Sequence, residues 1–249
     1  MQAIWNIISS TASSDPALPS FSGGGRTRAL TVVRRAAVRG MKLSVDPRDA
    51  TVRLTLGKRA ALKPALGWAV GKRTWVEAEL ARLPQPQPIR PDMIFELAGA
   101  PVRLDWCEAR PRRIALNDGV LMVGGPVDQL PARVLRFLRA HALEILDGET
   151  RVLADAHGIV VGQVGVGDPK GRWGSCATSG DIRYSWRLIL APADVRRATV
   201  AHEVAHRVHM NHGAAFHALV ADLHDGDPGP SRRWLRAHGT ALHWFGRDN

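Results

Sequence analysis

Alternating apolar and polar positions dominate the chain between residues 30 and 56. Segments Leu30–Val33, Met41–Val45 and Ala50–Leu56 alternate apolar with polar or basic residues, which is typical of strands with one buried face. The Asp46-Pro47-Arg48-Asp49 segment has the composition of a tight turn. The pattern therefore predicts a hairpin at residues 41–56 and one further strand before it.

Near-helical spacing replaces this alternation from Leu62 to Leu83, at Leu66, Val70, Trp75, Val76 and Leu80. Gly67 and Gly71 interrupt the spacing. The simplest prediction is one helix that ends before the proline-rich stretch Pro84–Pro88, which we expect to be an extended connector.

A second group of strands follows this connector. The Asn117-Asp118-Gly119 turn predicts a hairpin between the last two strands. An amphipathic helix is then predicted over Leu130–Leu153. The predicted strands are Met93–Leu97, Val102–Trp106, Arg113–Leu116 and Val120–Val123.

The last third of the chain mixes two apolar runs with three helical patterns. Val160–Val166 and Ile182–Leu190 are predicted strands, with a loop at residues 167–174 between them. Three helices are predicted here: the first begins at Pro192, the second extends over Ala214–Leu223 and the third over Arg232–Trp244. Together these elements predict an α+β fold, and no internal repeat is visible in the sequence.

Composition divides the chain into three regions. Residues 1–26 are rich in Ser, Pro and Gly, which is typical of a disordered tail. Residues 27–125 form the basic, β-rich N-terminal region. Residues 126–249 contain most of the predicted helices and all ten histidines.

Two features indicate a protein of the cytoplasm with no membrane partner. Cys107 and Cys176 provide no disulfide framework, which fits a reducing compartment. No apolar run approaches the ~18 residues that a membrane span needs, and no basic residue precedes the short apolar patch at the N-terminus.

Positive charge is concentrated in residues 26–73. This segment contains thirteen Lys and Arg residues against Asp46 and Asp49, which equals the net charge of +11 of the whole chain. Such clustering predicts a nucleic-acid partner or another polyanion. The alternative is that these side chains are ordinary solvated surface, and both interpretations stay open here.

The segment Thr199–His212 contains the sequence His-Glu-x-x-His. On a helix, His202 and His206 lie on one face about one turn apart, so their imidazoles can bind one metal ion. Glu203 lies about 100° round the helix, where it is poorly placed as a ligand but well placed to take a proton from a bound water. Two imidazoles suit zinc, which needs a third protein ligand at a catalytic site.

His212 is the favoured third ligand, with His217, Asp222 and His224 as alternatives. An unbroken helix would carry His212 ~15 Å further along its axis than His202, out of reach of the ion. His212 can therefore reach the site only if the helix ends near residues 210–211. Asn211 favours such an end, because asparagine tolerates a left-handed conformation.

Motifs throughout the C-terminal half resemble the YgjP-like family of zinc-dependent hydrolases, which share a zincin catalytic core and are similar to SprT-like proteases. Gly213 and His217 depart from the pattern, since the family usually has Ser and Trp there. The resembling residues are Arg172-Trp173-Gly174-Ser175-Cys176, Ile182-x-x-x-Trp186-x-Leu188, Pro192, His202-Glu203-x-x-His206, Asn211-His212-Gly213 and Phe216.

This resemblance extends weakly to about Val32. It implies that residues 126–249 form a zincin-like hydrolase core, with a small sheet beside the His-Glu-x-x-His helix. It also implies zinc bound by His202, His206 and His212, with Glu203 as the catalytic acid and base.

The segment before the predicted second strand of this core supplies candidate substrate-binding residues. Lys170, Arg172 and Trp173 are placed beside the metal cleft by the resemblance. Arg172 could hold an anionic group of a substrate or serve as a structural donor. Cys176 is interpreted as a small buried residue, because a metal-bound water already supplies the nucleophile.

These features predict a metal-dependent hydrolase, most simply a metallopeptidase that acts on a peptide or protein. Zinc would activate a water molecule, and Glu203 would accept the water proton. The enzymatic alternative is a nucleoside triphosphate pyrophosphatase, in which Lys170 and Arg172 would hold phosphates. A non-enzymatic alternative is a nucleic-acid-associated protein with structural zinc, although such a site needs no base at Glu203.

Overall fold

The computed structural model describes residues 18–248, which divide into two compact units, one ending at Leu83 and the other beginning at Pro84. Residues 1–17 of the predicted tail lie outside the described residues. The predicted boundary after residue 125 falls inside the second unit. The reason is that strands before residue 125 share one apolar core with helices that follow it, as shown by Leu104 and Leu121 clustering with Leu138.

The described part of the first unit consists of a four-stranded sheet and two helices. The strand order is β1-β2-β4-β3, with β2 parallel to β4 and the outer pairs antiparallel. Alternate residues Val52, Leu54 and Leu56 are fully buried, as the alternating pattern predicts. The strands are β1 (Ser20–Gly23), β2 (Arg26–Arg35), β3 (Met41–Val45) and β4 (Val52–Gly57).

Two differences from prediction occur in this unit. The predicted single helix is two helices, α1 (Leu62–Gly71) and α2 (Arg73–Arg82), because the helix is interrupted after Gly71. The glycine-rich end of the predicted tail instead forms the turn between β1 and β2, where Gly24 and Gly25 have φ of 61° and 75°. Positive φ at both positions is what a two-residue hairpin turn requires.

Several basic residues of the first unit have partners within the protein. Arg26 donates to the carbonyl of Leu80 at 3.1 Å, and the Arg34 guanidinium donates to the carbonyl of Ala60 at 2.8 Å. Arg48 forms an ion pair with Asp46 at 2.8 Å. Part of the basic segment therefore stabilises its own unit, and binding of a polyanion by the remaining residues stays a prediction.

The first sheet of the second unit repeats the strand order of the first unit. Its order is β5-β6-β8-β7, again with a central parallel pair and two antiparallel outer pairs. Its last two strands are joined at Asp118-Gly119, as predicted. The strands are β5 (Ile94–Leu97), β6 (Ala100–Cys107), β7 (Ile114–Asn117) and β8 (Val120–Gly124).

A three-stranded sheet of order β10-β11-β9 and four helices complete the second unit. Strand β10 is at the edge of this sheet and pairs antiparallel with β11, which pairs parallel with β9. The elements are α3 (Leu130–Ala156), β9 (Val164–Gly167), β10 (Gly174–Cys176), β11 (Ile182–Ser185), α4 (Ala193–Ala205), α5 (Ala214–His224) and α6 (Gly229–Leu242).

Both predicted strands near the small sheet are shorter than expected. Residues 160–163 are not a strand, because the carbonyls of Val160 and Gly162 accept hydrogen bonds from Arg207 and Arg151 instead of a neighbouring strand. The apolar run after β11 forms a buried 3-10 helix, Trp186–Leu190.

This mixture of separate sheets and helices agrees with the predicted α+β class. Within residues 18–248, no helix combines the length and the apolar character that crossing a bilayer requires.

Candidate metal centre

Helix α4 places two of the predicted ligands side by side. It ends at Ala205, so His202 lies in its last turn and His206 immediately follows it. The four-residue spacing brings the two imidazole rings to a centroid separation of 4.9 Å. The shared helix face that the sequence predicts is therefore present.

His212 reaches the same place from the connection between α4 and α5. Because α4 ends at Ala205, the chain can turn back, and the ring centroid of His212 lies 5.2 Å from that of His202 and 4.8 Å from that of His206. The Nε2 atoms of His202 and His212 are 3.3 Å apart. Within residues 18–248, these three histidines form one group suited to a metal, with ligand atoms within 4.8 Å of one another.

The donor set fits a tetrahedral zinc ion. Two nitrogens bound to zinc at the usual 2.0–2.1 Å with tetrahedral angles are about 3.3–3.4 Å apart, close to the 3.3 Å between the Nε2 atoms of His202 and His212. Nδ1 of His206 lies 3.0 Å from the carbonyl oxygen of His209. Since a carbonyl only accepts, Nδ1 carries the proton and Nε2 presents its lone pair to the site.

Phe216 supports all three imidazoles. Its ring centroid lies 4.9 Å from that of His202, 4.6 Å from that of His206 and 4.7 Å from that of His212. It is 1% exposed and lies in the first turn of α5. A buried aromatic ring in contact with each imidazole restricts the rotamers available to them.

Burial dominates the electrostatics of the histidines. It lowers the pKa of His202 to about 4, with further contributions first from His206 and His212 and then from Arg232. Burial also lowers the pKa of His206. Both side chains are therefore neutral at pH 7, as metal ligation requires.

Glu203 lies on the interior side of the site. It is 5% exposed, and burial raises the pKa of its carboxyl to about 7, with the positive charge of Arg172 acting in the opposite direction. Gly174 of β10 lies directly against this carboxylate. A Cβ at that position would be 2.3 Å from Oε1 of Glu203, so only glycine leaves room for it.

A cleft of about 250 Å³ opens beside His202 and Glu203. Of the three candidate substrate-binding residues, Arg172 and Trp173 line it, and exposed Lys170 does not. The opposite wall is α6, which contributes Arg232 and Leu235.

An ion pair between buried Arg187 and partly exposed Asp168 anchors the loop between β9 and β10, which carries Arg172 and Trp173. The guanidinium of Arg187 donates to the carboxylate of Asp168 at 2.8 and 3.1 Å. The same guanidinium donates to the carbonyls of Leu242 and Phe245. One side chain therefore connects this loop to the end of the chain.

Sequence reasoning missed three contributors to the site. Phe216 counted only as part of the family resemblance, although a buried aromatic residue close after the third histidine is a usable signal. Gly174 also counted only as part of that resemblance, and the sequence does not show that it lies against Glu203. Arg232 gave no signal, since its position depends on how α6 packs.

A family model described as YgjP-like, metallopeptidase domain, matches residues 39–238. The chain belongs to the YgjP-like family. The match covers all the residues of the metal centre and confirms the family indicated by the sequence motifs. No curated protein and no solved structure has a significant match to this chain.

Proposed function

We propose that this YgjP-like protein is a zinc-dependent peptidase, with His202, His206 and His212 as metal ligands and Glu203 as general base. The observation that carries the proposal is the convergence of three imidazoles beside a buried carboxylate. A purely structural site would not need an acidic group beside its ligands, because burial of an unpaired carboxylate is costly.

Each protein group has a distinct task in this proposal. When bound, zinc supplies a Lewis acid and makes water more acidic. Glu203 takes a proton from the attacking water and passes it to the leaving nitrogen. The water oxygen bonds to the carbonyl carbon as the C–N bond breaks, so the products are a carboxylic acid and an amine.

The position of β10 supports a peptide as the substrate. This strand is at the sheet edge, so one of its sides is open to an extended chain that adds as a further strand. Gly174 of β10 touches the Glu203 carboxylate. A peptide paired along this edge would therefore pass close to the proposed base.

The test compares zinc content and turnover in matched variants. Glu203→Gln keeps the size of the side chain, so we expect it to retain zinc and lose at least ~100-fold in turnover, the usual scale of general acid–base assistance. His206→Ala should lose both zinc and activity. Glu96→Gln, which changes an exposed carboxylate outside this site, is the control and should behave as wild type.

Casein, a mixed peptide library and nucleoside triphosphates serve as substrates, and elemental analysis gives the zinc content. A fully active Glu203→Gln protein would show that this carboxylate is not the base. Undiminished zinc in His212→Ala would remove His212 from the ligand set. Cleavage of triphosphates without cleavage of peptides would replace the peptidase by a pyrophosphatase.

A further inference from the structure

The cleft beside the metal centre has an apolar floor. Three consecutive elements build it: α4 contributes the turns that precede His202, α5 contributes its middle, and α6 contributes its first half. Trp173 also lines the cleft. The apolar floor residues are Val195, Ala198, Val220 and Leu235.

Two arginines from different elements also line this cleft. Arg172 comes from the loop before β10, and Arg232 from the first turn of α6. Both are exposed, and within residues 18–248 their charges act on Glu203 and His202 respectively without a hydrogen bond or an ion pair. The buried arginines nearby differ, since Arg187 and Arg196 are both paired with carboxylates. Glu203 is the one acidic residue among those that line the cleft.

The size of the cleft limits what it can hold. Its volume of about 250 Å³ lies below the ~300–1,000 Å³ typical of sites that enclose whole drug-sized ligands. It therefore suits one amino-acid residue better than a nucleoside triphosphate. Two guanidinium groups and a set of apolar side chains in one cleft are complementary to an apolar side chain accompanied by a carboxylate, which arginine binds through paired hydrogen bonds.

We infer that this cleft binds a peptide residue with a large apolar side chain and a neighbouring carboxylate, held by Arg172 and Arg232. This inference rests on the proposed peptidase function and names its substrate class. The carboxylate has two possible sources: a free C-terminus, which makes the protein a carboxypeptidase, or an acidic side chain next to the apolar residue.

Binding measurements test the inference without depending on turnover. Three short peptides are titrated by calorimetry into zinc-loaded and zinc-free Glu203→Gln protein. The first ends in leucine with a free carboxylate, the second is its C-terminal amide, and the third is an amide with glutamate beside the leucine. The zinc-free arm separates binding by the arginines from binding of the carboxylate by the ion.

We expect the free acid or the glutamate peptide to bind at least about tenfold more tightly than the plain amide, with and without zinc. The reason is that hydrogen bonds between charged groups are stronger than those between neutral groups. Arg172→Gln and Arg232→Gln, each made in the Glu203→Gln protein, should abolish this preference. Arg233→Gln is the matched control, because Arg233 is exposed on the same helix but does not line the cleft. The free acid and the glutamate peptide, compared directly, identify the source of the carboxylate.

Equal affinity for all three peptides would overturn the inference, as would a preference that survives in both arginine variants. Tighter binding of a nucleoside triphosphate that the two arginine variants abolish would overturn it in favour of phosphate. Failure of the proposed function is a separate result: zinc-loaded wild type would then bind the peptides without cleaving them. Cleavage of peptides with no preference for a carboxylate would overturn this inference and leave the proposed peptidase function intact.

Discussion

Gly174→Ala isolates the contact between strand β10 and the proposed base. The substitution adds one methyl group, and the backbone of Gly174 is not in the left-handed region, so alanine can adopt its conformation. The added Cβ would lie 2.3 Å from Oε1 of Glu203 and 2.6 Å from its Cδ and Cγ. Steric displacement of the carboxylate is therefore the main expected effect.

The size of that displacement follows from the contact distances. Because non-bonded carbon atoms are most stable at about 3.5–4.0 Å, the Glu203 side chain must move by about 1 Å. The carboxylate is buried, so it has little room to move except toward the cleft. A misplacement of about 1 Å in a catalytic group can cost about 100-fold in rate, and that is the loss we expect.

Turnover of a peptide substrate, zinc content and urea unfolding are measured together on Gly174→Ala. We expect zinc to be retained and the free energy of unfolding to fall by about 1–3 kcal/mol, the usual range for overpacking. Gly165→Ala is the control, because Gly165 lies in β9 of the same sheet. The Cβ added at this position would be 3.8 Å from its nearest neighbour, Nε of Arg183, so alanine fits there. Wild-type turnover in Gly174→Ala would refute the assignment of Glu203 as a positioned base.

Two further predictions concern charge. Burial favours the neutral form of Asp168, but hydrogen bonds from Arg187 outweigh it and lower the pKa of Asp168. The ion pair therefore stabilises the folded protein fully above the ordinary pKa of about 3.9, and this stabilisation is lost as the pH falls through the lowered pKa. Because Asp168 is partly exposed and solvent screens the pair, Asp168→Asn should cost only about 1 kcal/mol of unfolding free energy at pH 7. Urea titrations should show this cost shrinking below about pH 4, and a cost independent of pH would contradict the ion pair. If residues 26–73 bind nucleic acid, the affinity for nucleic acid should fall steeply with salt concentration through counterion release. An affinity that does not depend on salt in a filter-binding assay would show that these residues are ordinary solvated surface.

Local periodicity predicted the elements whose geometry depends on neighbouring residues alone. The alternation around Val52 and Leu54 located a half-buried strand, because the two-residue repeat of a strand needs no tertiary information. The four-residue spacing of His202 and His206 located a shared helix face for the same reason. His212 required one further step, namely that the helix must end before it, and α4 ends earlier than expected.

Tertiary packing decided the features that the sequence did not predict. The apolar run Trp186–Leu190 has no periodicity, so a strand and a buried 3-10 helix could not be distinguished. Strand β10 has three residues, too few to show alternation, and exists because β11 pairs with it. Arg232 is 60 residues from Arg172 in the sequence, and only the packing of α6 brings both to one cleft.

The shared strand order of the two four-stranded sheets has a consequence for the order of folding. Each sheet consists of two hairpins joined along one parallel seam, β2–β4 or β6–β8. Hairpins close over short loops within about 1–10 μs, whereas a parallel seam must wait for a longer loop to close. All eight strands lie before residue 125, and the three histidines lie after residue 201. We therefore expect both sheets to assemble before the imidazoles converge, so that the ion binds to a framework that is already built.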